Sequence, residues 1–320
     1  MFALAQVSRN NKYRLFAGSG TRIWRFKLEF DVHTMQFAIQ GEPFKMPSTG
    51  LAREYFCAKY LDEGAGYVVC GSSAGELCVF NAESMVFRAA VPVSGGGVLS
   101  LATVRVQGRE LVCCGCGDGK LKIVSGLDQD WAMEAETRLS GQIRALSASA
   151  DGAHFLAGTS TGDVFILSAA TLQPSASAGA AGPFLSSHTH PIKCVAFGDS
   201  SEFFASGAEN GVVRLWELSH YGVKCHISPY TNKAAAPTCI VFSGDALLTG
   251  WTDGAMRCHS DEGEPLWEVA CTHKDGVFSI ALSPRYIVTG GADSTIRLWD
   301  IATRQARAQF AEHKVGHPTC

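Results

Sequence analysis

The chain has 320 residues, 46% of them hydrophobic and 18% charged, with 34 glycines and a formal net charge of −3. That balance excludes a disordered polar chain and a coiled coil, and it gives no electrostatic case for nucleic acid or an anionic membrane as partner. Length alone allows two ordinary domains or one large repeat or barrel domain.

MFALAQVSRNN opens the chain with an apolar run too short for a signal peptide and no basic segment ahead of it. No stretch is long enough to span a bilayer, and no N-x-S/T acceptor occurs. A cytosolic or cytosol-continuous compartment is expected, where the twelve cysteines stay reduced. Most of them, including Cys57, Cys70, Cys78, Cys113, Cys114, Cys194 and Cys239, sit in apolar, strand-like runs and read as small buried hydrophobes. CCGC at 113–116 lacks a second pair at zinc-finger spacing, so no metal is expected.

In chain order, a glycine recurs at Gly18, Gly71, Gly115, Gly158, Gly207, Gly250 and Gly290, at intervals of about 40 to 53 residues, the period of propeller blades. Around each lies the same grammar. An apolar run such as KCVAF, TCIVF or FSIAL precedes a turn, then a second run ending in small residues. A tight turn, a third run such as VVRLW or TIRLW, and a weaker fourth strand follow. Seven such units predict an all-β chain folded as a β-propeller of about seven four-stranded blades. The blades are expected near 1–50, 51–97, 98–142, 143–187, 188–236, 237–272 and 273–320.

The units differ in clarity. The first, LFAGSGTRIW, is one residue short and ends on Trp24; the second offers Cys70, Ala74 and Phe80; the third Cys114, Asp118 and Val124; the fourth Ala157, Thr161 and Leu167. The fifth has His188, Ser206, Asn210 and Trp216; the sixth Thr249 and Asp253, with His259 at the tryptophan position. In the last, His273, Thr289, Asp293 and Trp299 resemble the structural tetrad of WD-repeat proteins, in which histidine, hydroxyl, acid and indole bond to one another inside the blade. Such a network satisfies buried polar groups and pins a turn. Those acids and histidines are therefore structural.

Catalytic alternatives fail on spacing. GCGDGKLK (115–122) lacks the phosphate-loop pattern and a following helix, so it reads as a turn. HTH at 188–190 commits its first histidine to the tetrad, and Ser206 and Ser294 have no nucleophile elbow. No catalytic residue, cofactor or small-molecule substrate is expected. Three less regular segments are candidates for partner binding: 25–50 with Phe30, Phe37 and Phe44; 218–237 with Tyr221, Lys224, Tyr230 and Lys233; and the small-residue stretch 168–187, a connector or linker.

Beyond the WD pattern, AGTSTGDVFIL, SSHTHPIKCVAFGDSSEFFASGAENGVVRLW, LLTGWTDGAMRCHSDEGEPLWEV and THKDGVFSIALSPRYIVTGGADSTIRLWD resemble the cilia- and flagella-associated WD-repeat proteins of the doublet microtubule inner junction. The resemblance implies a non-enzymatic structural protein of the cilium or flagellum axoneme, contacting tubulin and other axonemal proteins. Members of that family carry two tandem propellers. On that pattern the chain would hold parts of two, with a boundary near 168–187. The alternative function is a soluble WD-repeat adaptor in another complex, such as a ubiquitin-ligase substrate receptor. Propellers usually close by sharing one blade between the termini; Phe2–Val7 could supply such a strand, but HKVGHPTC reads as the start of an eighth unit, which leaves the mode of closure open.

Overall fold

The computed structural model describes residues 2–9, 12–31, 36–46, 53–61, 66–106, 108–127, 130–174, 188–200, 202–219, 222–228 and 235–311. They form 27 strands in seven antiparallel sheets, each a meander in sequence order. Blade 1 holds β1 (Phe2–Arg9), β2 (Lys12–Ser19), β3 (Arg22–Asp31) and β4 (Gln36–Pro43); blade 2 holds β5 (Tyr55–Leu61), β6 (Tyr67–Ser72), β7 (Glu76–Asn81) and β8 (Val86–Pro92). Blade 3 holds β9 (Val98–Val106), β10 (Arg109–Cys116), β11 (Lys120–Leu127) and β12 (Asp130–Arg138). Blade 4 shows three strands among the described residues: β13 (Ile143–Ala148), β14 (His154–Thr159) and β15 (Val164–Ser168). Blade 5 holds β16 (Ile192–Phe197), β17 (Phe203–Ala208), β18 (Val213–Glu217) and β19 (Gly222–Ile227); blade 6 holds β20 (Pro237–Ser243), β21 (Ala246–Trp251), β22 (Met256–His259) and β23 (Pro265–Val269). Blade 7 holds β24 (Val277–Leu282), β25 (Tyr286–Gly291), β26 (Thr295–Asp300) and β27 (Ala306–Ala311).

The first strand of every blade is innermost. β1 lies against β5 and β24, β9 against β5 and β13, β16 against β13 and β20, and β20 against β24. The ring is therefore one closed seven-bladed propeller and not parts of two, and β13 carries it from blade 3 to blade 5. Among the described residues no strand crosses the seam: blade 1 is made of β1 to β4 and blade 7 of β24 to β27. The start of an eighth unit lies outside the described residues.

Because side chains alternate along a strand, each sheet sends one set of apolar residues toward each neighbour. Leu15 and Ala17 join Tyr286, Val288 and Leu298 in the layer between blades 1 and 7, while Phe16 joins Tyr55, Val68 and Phe80 between blades 1 and 2. The other five hydrophobic clusters likewise pair consecutive blades. The core is thus a set of inter-blade layers.

That arrangement explains the recurrent glycine. It lies within the second strand, where the next blade's first strand comes closest. A Cβ at Gly71 would sit 2.7 Å from Val98 Cγ1, at Gly115 2.6 Å from Ile143 Cγ2, and at Gly250 2.8 Å from Val277 Cγ1. The turn that follows needs a left-handed residue. Gly75, Gly119, Gly162, Gly211 and Gly254 supply it, and Ser294 occupies that place in blade 7 at φ 61°.

At the seam, β27 lies against β4. Phe310 meets Phe26 edge-on at 4.9 Å and Trp24 at 6.1 Å, and it rests on Gly41, where a Cβ would fall 2.8 Å from Phe310 Cζ. The register also relocates the strand-end aromatic of the first unit. Leu15, three residues before Gly18, pairs with Phe26, as Ile287 pairs with Trp299; Trp24 pairs with Ala17. Phe26, and not Trp24, is the structural counterpart of Trp299.

Candidate functional site

The densest polar network lies inside blade 7. His273 Nε2 is 2.7 Å from Thr289 Oγ1, and its Nδ1 is 3.0 Å from Asp293 Oδ1. Trp299 Nε1 donates to the same threonine hydroxyl across 2.9 Å. Asp293 also accepts the backbone N–H of Thr295 and the Thr295 hydroxyl, so one carboxylate holds the turn and the imidazole together. His273 and Thr289 are buried, and burial pushes the histidine's pKa down despite the facing carboxylate. A buried neutral imidazole between a hydroxyl and an acid locks a blade. It has no open position for a substrate.

Blade 5 keeps the inner half of this arrangement. His188 Nε2 lies 2.7 Å from Ser206 Oγ, to which Trp216 Nε1 donates across 2.8 Å. Asn210 Oδ1 accepts the Val212 N–H of its own turn at 3.3 Å. Burial, then the charges of Arg214 and His226, push His188 down to about 4.

Blade 6 solves the same problem differently. Trp251 Nε1 donates to Thr249 Oγ1 across 2.8 Å, and that hydroxyl donates to the Arg257 carbonyl at 3.1 Å. Trp251 stands where blade 7 has Gly291, and a Cβ on Gly291 would collide with the His273 ring. An indole entering from β21 therefore replaces the imidazole entering from the preceding loop. Arg257 lies over the Trp251 ring at 5.0 Å and pairs with Asp253 at 2.7 Å. His259, fully buried at the end of β22, is pushed down to about 4, mainly by burial and then by Arg257.

The two candidate partner-binding residues whose side chains are described, Phe44 and Lys224, lie in different blades. Phe44 is buried between blades 1 and 2, 5.6 Å from Phe80 and 6.1 Å from Phe16, which corrects its reading as a surface anchor. Most of segment 25–50 is regular blade, and Phe30 is paired in backbone register with Phe37 in the β3–β4 ladder. Lys224 is engaged within blade 5 and its neighbour, 2.7 Å from Asp261, 3.0 Å from Glu262 and 4.9 Å from the Phe203 ring centre. Tyr221, Tyr230 and Lys233 lie outside the described residues, as does most of 168–187. GCGDGKLK forms the β10–β11 turn, in which Asp118 Oδ1 accepts the Lys120 N–H at 3.1 Å.

Among the described residues there is no group of three or more His, Cys, Asp or Glu that could hold a metal ion. No helix among them is long and apolar enough to cross a membrane. The described cysteines are free, and most are buried; burial pushes the Cys57 and Cys239 thiols up to about 12.

Seven antiparallel sheets in a closed ring make this chain a β-propeller, with histidine–hydroxyl–indole networks inside blades 5 and 7. The family model "WD domain, G-beta repeat" matches residues 182–217 and 264–300. The chain is similar to cilia- and flagella-associated protein 52 of Chlamydomonas reinhardtii, 25% identical over 240 residues, covering 72% of this chain and 36% of that protein. Against its Homo sapiens counterpart it is 20% identical over 272 residues, covering 83% of this chain and 42% of that protein. The chain thus spans roughly two fifths of the length of these curated relatives. The human F-box-like/WD repeat-containing protein TBL1X is 27% identical over 145 residues, covering 40% of this chain and 25% of that protein. A crystal structure of the computationally designed Ika8 protein superposes with a TM-score of 0.66 at 19% identity, covering 97% of this chain and 87% of that one. That likeness concerns the fold.

Proposed function

We propose that the chain is a non-enzymatic structural scaffold of the ciliary or flagellar axoneme, binding tubulin and other proteins of the doublet microtubule. What carries this reading is the similarity to cilia- and flagella-associated protein 52 over most of the chain. The chemistry is compatible with it. The buried histidines and acids of blades 5 to 7 are occupied in bonds that hold strands together, which leaves protein surface as the working part.

The test is co-sedimentation with axonemal doublets stripped of their endogenous homologue, beside singlet microtubules, across a salt series. Retention on doublets at high salt with little on singlets supports the scaffold, since broad complementary surface resists screening better than long-range charge. A folded chain that ignores doublets favours the second reading, a soluble WD-repeat adaptor, which the similarity to the F-box-like/WD repeat-containing protein motivates.

A further inference from the structure

Four blades close the turn between their second and third strands in the same way, with a side-chain oxygen accepting the backbone N–H two residues on. Asp118 holds Lys120 at 3.1 Å, Asp253 holds Ala255 at 3.0 Å, Asp293 holds Thr295 at 3.1 Å and Asn210 holds Val212 at 3.3 Å. Three of these acceptors are carboxylates, and the fourth is an amide.

The exception falls where the neighbouring blades use a negative charge. The second oxygen of Asp253 pairs with Arg257 at 2.7 Å in blade 6, and that of Asp293 lies 3.4 Å from Arg297 in blade 7. Asp293 also meets the His273 ring. Blade 5 keeps an arginine at the same spacing, Arg214, and a histidine, His188, whose pKa burial and then the charge of Arg214 push down. At the acid's position it has the NH2 of Asn210, a donor in place of an acceptor.

Asn210 is also placed to lose that amide. Of the five asparagines it alone precedes a glycine, so no side chain shields the next backbone nitrogen, and it is exposed to water. In a turn of this kind the side-chain carbonyl carbon lies beside that nitrogen, and the Val212 N–H polarises the carbonyl. Asn81 makes a like turn with Glu83, but it is buried and precedes Ala82.

We propose that Asn210 is a site of spontaneous deamidation, and that the aspartate formed gives blade 5 the acid that blades 6 and 7 carry at this position. The Gly211 nitrogen attacks Asn210 Cγ and closes a cyclic imide; the Cγ–Nδ2 bond breaks, and the proton displaced from nitrogen leaves with ammonia. Water then cleaves the new N–Cγ bond. One of its hydrogens returns to the Gly211 nitrogen, its oxygen enters the carboxylate, and the acid proton goes to ammonia. Cleavage on the other side of the imide would give isoaspartate and lengthen the main chain of the turn. That opposes the Gly211 N–H bond to the Ala208 carbonyl and the Ala208 N–H bond to the Val212 carbonyl, both 3.0 Å. The folded turn therefore favours aspartate. The Gly211 bond must also open before the ring closes, so the folded chain reacts more slowly than a free peptide of this sequence. The proposal goes beyond the axonemal reading and does not depend on it.

The full chain is incubated in mildly alkaline buffer, and its peptides are mapped by mass and elution against synthetic asparagine, aspartate and isoaspartate standards. Conversion at position 210 is expected to be several-fold faster than at Asn81, with aspartate the major product. Asn210→Gln should leave the mass of the same peptide unchanged over that time. Asn210→Asp, the product made directly, should have a higher urea midpoint than the parent, and the aged parent should move toward it. Conversion no faster than at Asn81 overturns the proposal. So does isoaspartate as the major product of the folded chain, or an Asn210→Asp midpoint at or below the parent's.

Discussion

Trp251 Nε1 donates to the hydroxyl of Thr249, two residues earlier on the same strand and on the same side of it, across 2.8 Å. Both residues are fully buried. The indole does in blade 6 what the His273 imidazole does in blade 7, yet it comes from a different strand position. Trp251→Phe should therefore cost about 1–3 kcal/mol, mostly from stranding a buried hydroxyl partner and loosening the ring under Arg257. Urea unfolding checks this, and Thr249→Val combined with Trp251→Phe should cost less than the sum of the single changes.

Gly115→Ala should be harmful out of proportion to its size. The new methyl would overlap Ile143 Cγ2 at 2.6 Å as well as the Ser100 hydroxyl, which bonds the Ile143 carbonyl at 3.1 Å. Overpacking of this kind costs about 1–3 kcal/mol. Hydrogen exchange should show faster opening of β9 and β13, the two inner strands that meet there.

Ser294→Gly should act in the opposite direction. Ser294 is at φ 61° in the turn position that glycine fills in five other blades. Relieving that conformation should raise stability by about 1 kcal/mol, less the entropy glycine returns to the unfolded chain. An unchanged or lowered urea midpoint would mean that the turn tolerates serine without strain.

Phe310→Ala should weaken the seam more than any comparable change on another outer strand. The ring closes there through side chains, with Phe310 against Phe26, Trp24 and Gly41. A half-buried aromatic should contribute about 2–3 kcal/mol. Its loss should speed exchange in β4 and β27 before β10 or β21 responds.

Mild acid should destabilise the propeller well before its carboxylates are protonated. His188 and His259 are held down to about 4 from a usual value near 6.5, with burial the main cause. Between those limits the unfolded chain binds a proton that the folded chain refuses. The stability contributed by each neutral histidine is thus complete above pH 6.5 and lost as pH falls toward 4, at up to about 1.4 kcal/mol per unit each. Urea midpoints measured from pH 7 to 4.5 check the slope, and His259→Phe should reduce it.

The clarity of each repeat unit tracked how completely its network survives. TIRLWD and VVRLW announce blades 7 and 5, because their tryptophans hydrogen-bond hydroxyls at fixed spacing. Blades 2 to 4 were legible through glycine and alternation, since Val68, Val112 and Phe155 lie buried whatever their polar neighbours. Blade 1 was misread at its strand end: its shorter Gly20–Thr21 turn shifts the register, and Phe26 takes the place assigned to Trp24. The partner-binding reading failed at Phe44 because an aromatic after a strand looks the same whether it meets solvent or the next blade.

The sequence by itself determined the number of blades, their strand–turn order and the placement of the best tetrad, because these follow from local periodicity and from turns that only certain residues accept. Tertiary structure decided which residues cross from one blade to the next, how Trp251 substitutes for an imidazole, and that Phe310 packs across the seam between blades 7 and 1. Those outcomes depend on contacts between residues far apart in the chain. A strand's alternation specifies that it has two faces, but the surface each face meets exists only once the neighbouring blades are in place.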